Sequence, residues 1–309
     1  MNKLKNKQMK RTYIAMLTLF LTTWFASCKD NELFEKEMYK NVVALISSEY
    51  YNTFQEEVPL TGEEFTGYIA ASAGGTHASD KDLAIEFTED SLQFDYYNFS
   101  LYDADSNLYA RRLPRSHYEI PDYQITIPAG ERTGKTLVKI KPEGLSPDST
   151  YFISLKVKDN ASVEVNADKN TILYQVLIKN AYASQASDDL YTMTGYIDGA
   201  VTAGNVKMFP LSRNKVRVIA GNETFEANED KIKKTSIVLE ITDDNKVLIT
   251  PYKDIEVTQV DDDPDYPNTF VQEESFGRKF NTFLLAYDYT IDGTTHRMQE
   301  ELRIEVKQD

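Results

Sequence analysis

Cysteine is almost missing: Cys28 is the only thiol in 309 residues. One thiol cannot form an intramolecular disulfide, so the fold rests on its core, and cysteine-based zinc sites are excluded. Histidine is nearly as scarce, with only His77, His117 and His296, at no metal-ligand spacing. His117 and His296 fall at strand-surface positions. Tryptophan occurs once, at Trp24. There is no Gly-x-Ser-x-Gly elbow, phosphate loop or dinucleotide fingerprint. Positive charge is also short, with 34 Lys and Arg against 49 Asp and Glu, for a formal charge of −15. Such a field repels phosphate backbones and anionic headgroups, which argues against nucleic acid as a partner and against a polybasic membrane-surface role. Neutral ligands suit that average. Only a local basic patch overrides it, because screening confines charge effects to a Debye length of ~8 Å.

The N-terminus is informative. Lys3, Lys5, Lys7, Lys10 and Arg11 precede an apolar run from Tyr13 to Phe25, then small Ala26 and Ser27 before Cys28. This is the layout of a secretory signal peptide over residues 1–27. The run has 13 residues, and a bilayer-spanning helix needs ~20. Ala26-Ser27-Cys28 resembles the lipobox of bacterial lipoproteins, with Phe25 where Leu is usual. That resemblance implies that Cys28 is acylated and becomes the mature N-terminus. Lys29-Asp30-Asn31-Glu32 resembles the charged signal that sends Bacteroidota lipoproteins to the outer face of the outer membrane. Removing residues 1–27 takes the formal charge from −15 to −20, because they carry five cations and no acid. The polar stretch over 28–41 reads as a tether.

From Val42 the pattern is that of short strands: Val42–Ile46, Phe65–Ala70, Leu83–Phe87, Ile125–Ile127, Leu137–Ile140 and Tyr151–Val157. The residues 91–98 read as one short helix, with Leu92 and Tyr96 four apart and Asp90 or Ser91 as its cap. Pro128-Ala129-Gly130 and Ser146-Pro147-Asp148 punctuate the strands as an antiparallel sandwich requires. A small polar run over 183–189 marks a domain boundary, giving units at 42–182 and 188–309. In the second unit, Ile237–Ile241 and Val247–Ile249 flank Asp243-Asp244-Asn245 as a hairpin. Asp292-Gly293 is the pair that a two-residue type I′ turn prefers, and it joins Phe283–Ile291 to Thr295–Val306.

The order Leu113-Pro114-x-x-x-Tyr118, Ile125-Thr126-Ile127-Pro128-Ala129-Gly130, then Gly144-Leu145-Ser146-Pro147-Asp148-Ser149-Thr150-Tyr151-Phe152-Ile153-Ser154-Leu155-Lys156-Val157 resembles the domain-of-unknown-function 1735 family of gut Bacteroidota surface lipoproteins. The resemblance covers residues 38–180. It implies an immunoglobulin-like β-sandwich near the membrane and a variable C-terminal module, and it assigns no catalytic residue. Tyr266-Pro267-Asn268, Phe280–Tyr289 and Met298–Arg303 resemble a second uncharacterised module, often paired with the first. The expected fold class is all-β, two antiparallel β-sandwich domains in tandem, the second a sandwich or small barrel.

Candidate chemistry is sparse. Aromatic faces stack on sugar rings while a tyrosine hydroxyl reaches their hydroxyls, so Tyr96, Tyr97, Phe99 and Tyr102 form one candidate cluster and Tyr266, Tyr287 and Tyr289 another. Asp261, Asp262, Asp263 and Asp265 offer closely spaced oxygen ligands for calcium. Asp103-Ala104-Asp105-Ser106-Asn107 has the spacing that opens an EF-hand loop, but Leu108 occupies the glycine position and no Glu closes it. Glycoside hydrolysis needs an acid and a carboxylate about 5 to 10 Å apart. With 49 acids, chance pairs are unavoidable and carry no information.

The expected function is a non-catalytic surface lipoprotein without cofactor, anchored in the outer membrane. It would bind glycan or support a polysaccharide-utilisation system, with a TonB-dependent transporter and its lid lipoprotein as partners. A surface adhesin or fimbria-like subunit is one alternative. A glycosidase is the other, although the second unit is short of the ~200 residues of a catalytic barrel.

Overall fold

The computed structural model describes residues 40–306, except Glu49 and Asn160. The signal segment, Cys28 and the tether up to Tyr39 lie outside the described residues. Among the described residues, no helix is long and apolar enough to cross a membrane.

The first domain contains β1 (Val42–Leu45), β2 (Thr53–Pro59), β3 (Phe65–Gly74), β4 (Leu83–Glu89), helix α1 (Leu92–Tyr102), β5 (Arg111–Arg112), β6 (Tyr118–Glu119), β7 (Gln124–Ile127), β8 (Thr133–Ile140), β9 (Tyr151–Val157) and β10 (Thr171–Lys179). One sheet runs β1-β3-β8-β6 and the other β2-β10-β9-β4-β7, with β5 beside β9. Period-two alternation places Ile69 and Ala71 of β3 and Val138 and Ile140 of β8 in the core between the sheets. The strands β9 and β10 read as continuous apolar runs because both their faces are covered. Ile153, Leu155, Ile172, Tyr174 and Val176 meet the opposite sheet, while Phe152 and Leu173 pack with Phe94 of α1 and Ala110.

Two expectations are corrected here. The sheets are not purely antiparallel: β2 runs parallel to β10, Thr53 opposite Leu173 through Pro59 opposite Lys179, because the chain crosses between sheets after β1. The helix runs over 92–102 rather than 91–98. No glycine or proline interrupts it before Asp103, whose φ of 50° ends it. Ser91 occupies the N-cap position without a side-chain bond, and Asp90 just before it supplies the acceptor, its Oδ2 accepting from Gln93 N at 3.3 Å.

The second domain contains β11 (Tyr191–Ile197), β12 (Ala200–Val206), β13 (Phe209–Ser212), β14 (Lys215–Ile219), helix α2 (Glu229–Thr235), β15 (Ser236–Ile241), β16 (Val247–Pro251), β17 (Glu256–Gln259), β18 (Thr269–Ser275), β19 (Arg278–Ile291) and β20 (Thr294–Val306). Its sheets run β12-β11-β20-β19-β17, with β18 also on β19, and β13-β14-β15-β16. Both hairpins read from the sequence are present, β15 with β16 and β19 with β20. The chain is thus all-β in two domains, each a pair of sheets around its own core.

The segment between the cores is pinned. Asn180 Nδ2 donates to the carbonyls of Ser212 (2.7 Å) and Lys215 (3.0 Å), and Gln185 Nε2 donates to those of Pro147 (2.9 Å) and Ser149 (3.0 Å). Tyr182 and Ala183 pack on the second core. These contacts bring the β8–β9 turn of the first domain against the β13–β14 edge of the second.

Candidate functional site

The strand Val216-Arg217-Val218-Ile219 carries one charge in an apolar run, and Arg217 is 1% exposed. A buried guanidinium needs a partner. It finds one in the other domain: Arg217 Nη1 and Nη2 donate to Asp148 Oδ2 and Oδ1 at 2.5 and 2.6 Å. A bidentate Arg–carboxylate pair fixes orientation as well as contact. The guanidinium also lies over Phe209 (4.4 Å) and Tyr252 (5.1 Å).

Around this pair opens a cleft of about 450 Å³. The first domain contributes Asn107, Arg111 and the 146–149 turn; the second contributes Phe209, Phe225, Tyr252, Lys233 and Lys253. Phe225 is 45% exposed and stacks on Phe209, with ring centroids 5.3 Å apart and planes at 28°. It also lines a smaller hollow of about 140 Å³ with Asn205, Lys207, Asn222 and Glu223. One exposed aromatic ring therefore stands between two polar hollows. A wider depression of about 630 Å³ lies near Tyr182 and Phe270, with no cation among its lining residues.

The acids in the cleft are committed to partners. Asp148 pairs with Arg217, and Glu229 pairs with Lys233 at 2.7 Å, whose hydrogen bond holds the Glu229 carboxyl below its usual range. The carboxyl that burial pushes up, to about 8, is Glu300. It is sealed in the second core and lines neither hollow.

The structure places the sequence candidates elsewhere. Tyr287 and Tyr289 are core residues, because β19 turns Phe283, Leu285, Tyr287 and Tyr289 inward at every second position. Tyr287 Oη accepts from Gly221 N and donates to Glu300 Oε1, both at 2.8 Å. Neither tyrosine reaches a ligand at the surface. On α1, Tyr96 is exposed, while Tyr97 packs edge-on against Phe152 (4.9 Å) and Tyr51 (5.2 Å), and burial raises its phenol to about 12. Tyr102 lies half-buried near Tyr109, and Tyr266 half-buried in the loop after β17. None of these lines the cleft.

Nor does the acidic run gather into a cation cage. Asp263 Oδ1 accepts from the amides of Asp265 and Tyr266, its Oδ2 accepts from Gln299, and Asp261 accepts from Gln259. Asp262 and Asp265 are exposed beside them. Asp105 caps its own turn through Asn107 N at 3.2 Å. Among the described residues, no three His, Cys, Asp or Glu side chains are placed to hold a metal ion.

Sequence reasoning missed the cleft, although a lone arginine inside a strand of valines and isoleucine was a usable signal that a buried charge needed a distant carboxylate.

Two family models match the chain, an N-terminal domain model over residues 34–164 and a C-terminal model over residues 170–303. No curated protein matches it. Among solved structures, a Bacteroides ovatus protein of unknown function is 16% identical with a TM-score of 0.65, over 85% of this chain and 94% of that one. A multidomain protein including DUF1735 from Bacteroides ovatus is 15% identical with a TM-score of 0.63, over 85% and 94%. An auxiliary nutrient binding protein from Bacteroides thetaiotaomicron is 13% identical with a TM-score of 0.58, over 84% and 93%. The two matches, end to end, and the shared fold make this chain a two-module protein, an N-terminal β-domain followed by a separate C-terminal β-domain, with the fold of Bacteroides multidomain proteins of which one includes DUF1735.

Proposed function

We propose that the protein is a non-catalytic, lipid-anchored surface lipoprotein that holds glycan in the cleft between its domains, as an accessory of a polysaccharide-utilisation system. The observation that carries this reading is Phe225, an exposed ring between two hollows lined by Asn, Lys and Glu side chains. Sugar recognition needs that combination, an aromatic face for the apolar side of a ring and polar groups for its hydroxyls. The nutrient-binding description of one structure sharing the fold is in keeping with it. The lipobox-like Ala26-Ser27-Cys28 motivates the anchor, and the family resemblance motivates a TonB-dependent transporter and its lid lipoprotein as partners.

The test is calorimetry of the soluble domains against a panel of plant, host and microbial polysaccharides. One of them should bind, and Phe225→Ala should weaken it about fivefold, the order expected when an aromatic contact of ~1 kcal/mol is lost. A binder indifferent to Phe225→Ala would move the site elsewhere; no binder at all would leave a structural role.

A further inference from the structure

The chain carries a formal charge of −15, yet the cleft is locally basic. Five of its lining residues are charged, Arg111, Lys233 and Lys253 against Asp148 and Glu229, and the buried Arg217 stands behind Asp148. Arg217 is neutralised by Asp148 and Lys233 by Glu229. Arg111 and Lys253 remain, both exposed, and among the described residues neither lies within ion-pairing distance of a carboxylate. Arg111 feels Glu229 only at longer range, and Lys253 Nζ sits over the Tyr252 ring at 5.5 Å. Two uncompensated cations, one from each domain, thus face the same hollow as Phe225 and Tyr252.

We infer that the ligand of this cleft is an acidic oligosaccharide, its carboxylate or sulfate group held by Arg111 and Lys253 and one ring face laid on Phe225. The inference rests on the glycan-binding reading above and narrows it to charged sugars. The same arrangement selects for size. A long polyanion would meet the acidic surface outside the cleft, whereas a short ligand keeps its charge within a Debye length of the two cations. A volume of about 450 Å³ lies within the range of small-ligand sites. Because one cation comes from β5 and the other from the connection after β16, the domains must keep their relative placement for both to bind.

The experiment compares matched probes by calorimetry: trigalacturonate and its methyl ester, an alginate trimer, a chondroitin sulfate tetrasaccharide and maltotriose. At least one acidic probe should bind at low salt tenfold or more tightly than the neutral ones and weaken as salt rises. Arg111→Gln and Lys253→Gln should each lower that affinity about tenfold, with unchanged melting temperature because neither side chain holds an ion pair. A preference for trigalacturonate or alginate identifies a carboxylate ligand, and a preference for chondroitin sulfate a sulfate ester. Neutral probes that bind as tightly as acidic ones, still dependent on Phe225, would overturn the charge assignment and leave glycan binding standing. Acidic binding unaffected by both substitutions would also overturn it. Failure of every acidic and neutral probe would remove the underlying reading as well.

Discussion

Among the described carboxyl groups, Glu300 is the one whose pKa burial raises. In an unfolded chain a glutamate ionises near 4.3, whereas burial lets Glu300 keep its proton up to about 8. Between those values the native state holds a proton that the unfolded state has released, so stability falls as pH rises across that window. The contribution is complete below about 4 and is lost as pH passes the folded value. Glu300→Gln keeps an acceptor for the Tyr287 hydroxyl and cannot ionise. Urea midpoints at pH 5, 7 and 9 should therefore diverge, with the variant the more stable at pH 9; parallel curves would mean that the carboxyl ionises inside the fold without cost. The sequence placed Tyr287 and Tyr289 correctly on a strand yet misread them as ligand contacts. Phe283, Leu285, Tyr287 and Tyr289 share one face, and a face that continues Phe and Leu is a core face, so the period-two pattern already held the answer.

At the scale of elements, local chemistry was most legible where it was strongest. Asp292-Gly293 adopts φ of 50° and 78° between paired Ile291 and Thr294, as the dipeptide demands. Asp198-Gly199, with φ of 51° and 81°, makes the same turn between β11 and β12 and went unread only because its flanking strands are weakly patterned, with most of β12 exposed. A third such turn has no sequence signal. Phe276-Gly277 joins β18 to β19 with φ of 52° at Phe276, whose side chain is fully exposed. A bulky residue there costs about 1–2 kcal/mol relative to one that tolerates the left-handed region. Phe276→Asn should accordingly stabilise the second domain by about 1 kcal/mol, read as a higher denaturant midpoint at an unchanged slope. A loss of stability would show instead that the ring packs on something. Parallel pairing of β2 with β10 was equally unreadable, because it depends on a crossover between sheets and not on any pattern within either strand.

For the whole molecule, the question is what keeps two separately cored domains in one arrangement, since connected domains ordinarily move relative to each other unless their interface is large. Here the contact is small and polar. Gln185 grips the 147–149 turn, Asn180 grips the β13–β14 edge, and Arg217 reaches across to Asp148. Beyond the lone arginine of β14, which signalled a distant carboxylate without naming it, none of this was visible in the chain, where 183–189 read as a loose polar boundary, because each grip joins residues distant in sequence: Arg217 and Asp148 are 69 positions apart. Removing one partner of a buried pair leaves the other charge desolvated, a cost of about 3–5 kcal/mol. Asp148 is 29% exposed and water reaches part of the pair, so about 2 kcal/mol is expected for Asp148→Ala. The location of that loss is diagnostic. Asp148 sits on a turn outside the first core, so that core should keep its melting temperature, while the second domain, left with a bare Arg217, should unfold earlier and split one calorimetric transition into two. Scattering from Asp148→Ala should also show a broader distribution of interdomain distances, and any cleft ligand should bind more weakly although no wall residue of the second domain has changed. Uniform destabilisation with an unaltered scattering profile would mean that Gln185 and Asn180 suffice to set the domain angle, and that the ion pair serves only to satisfy Arg217.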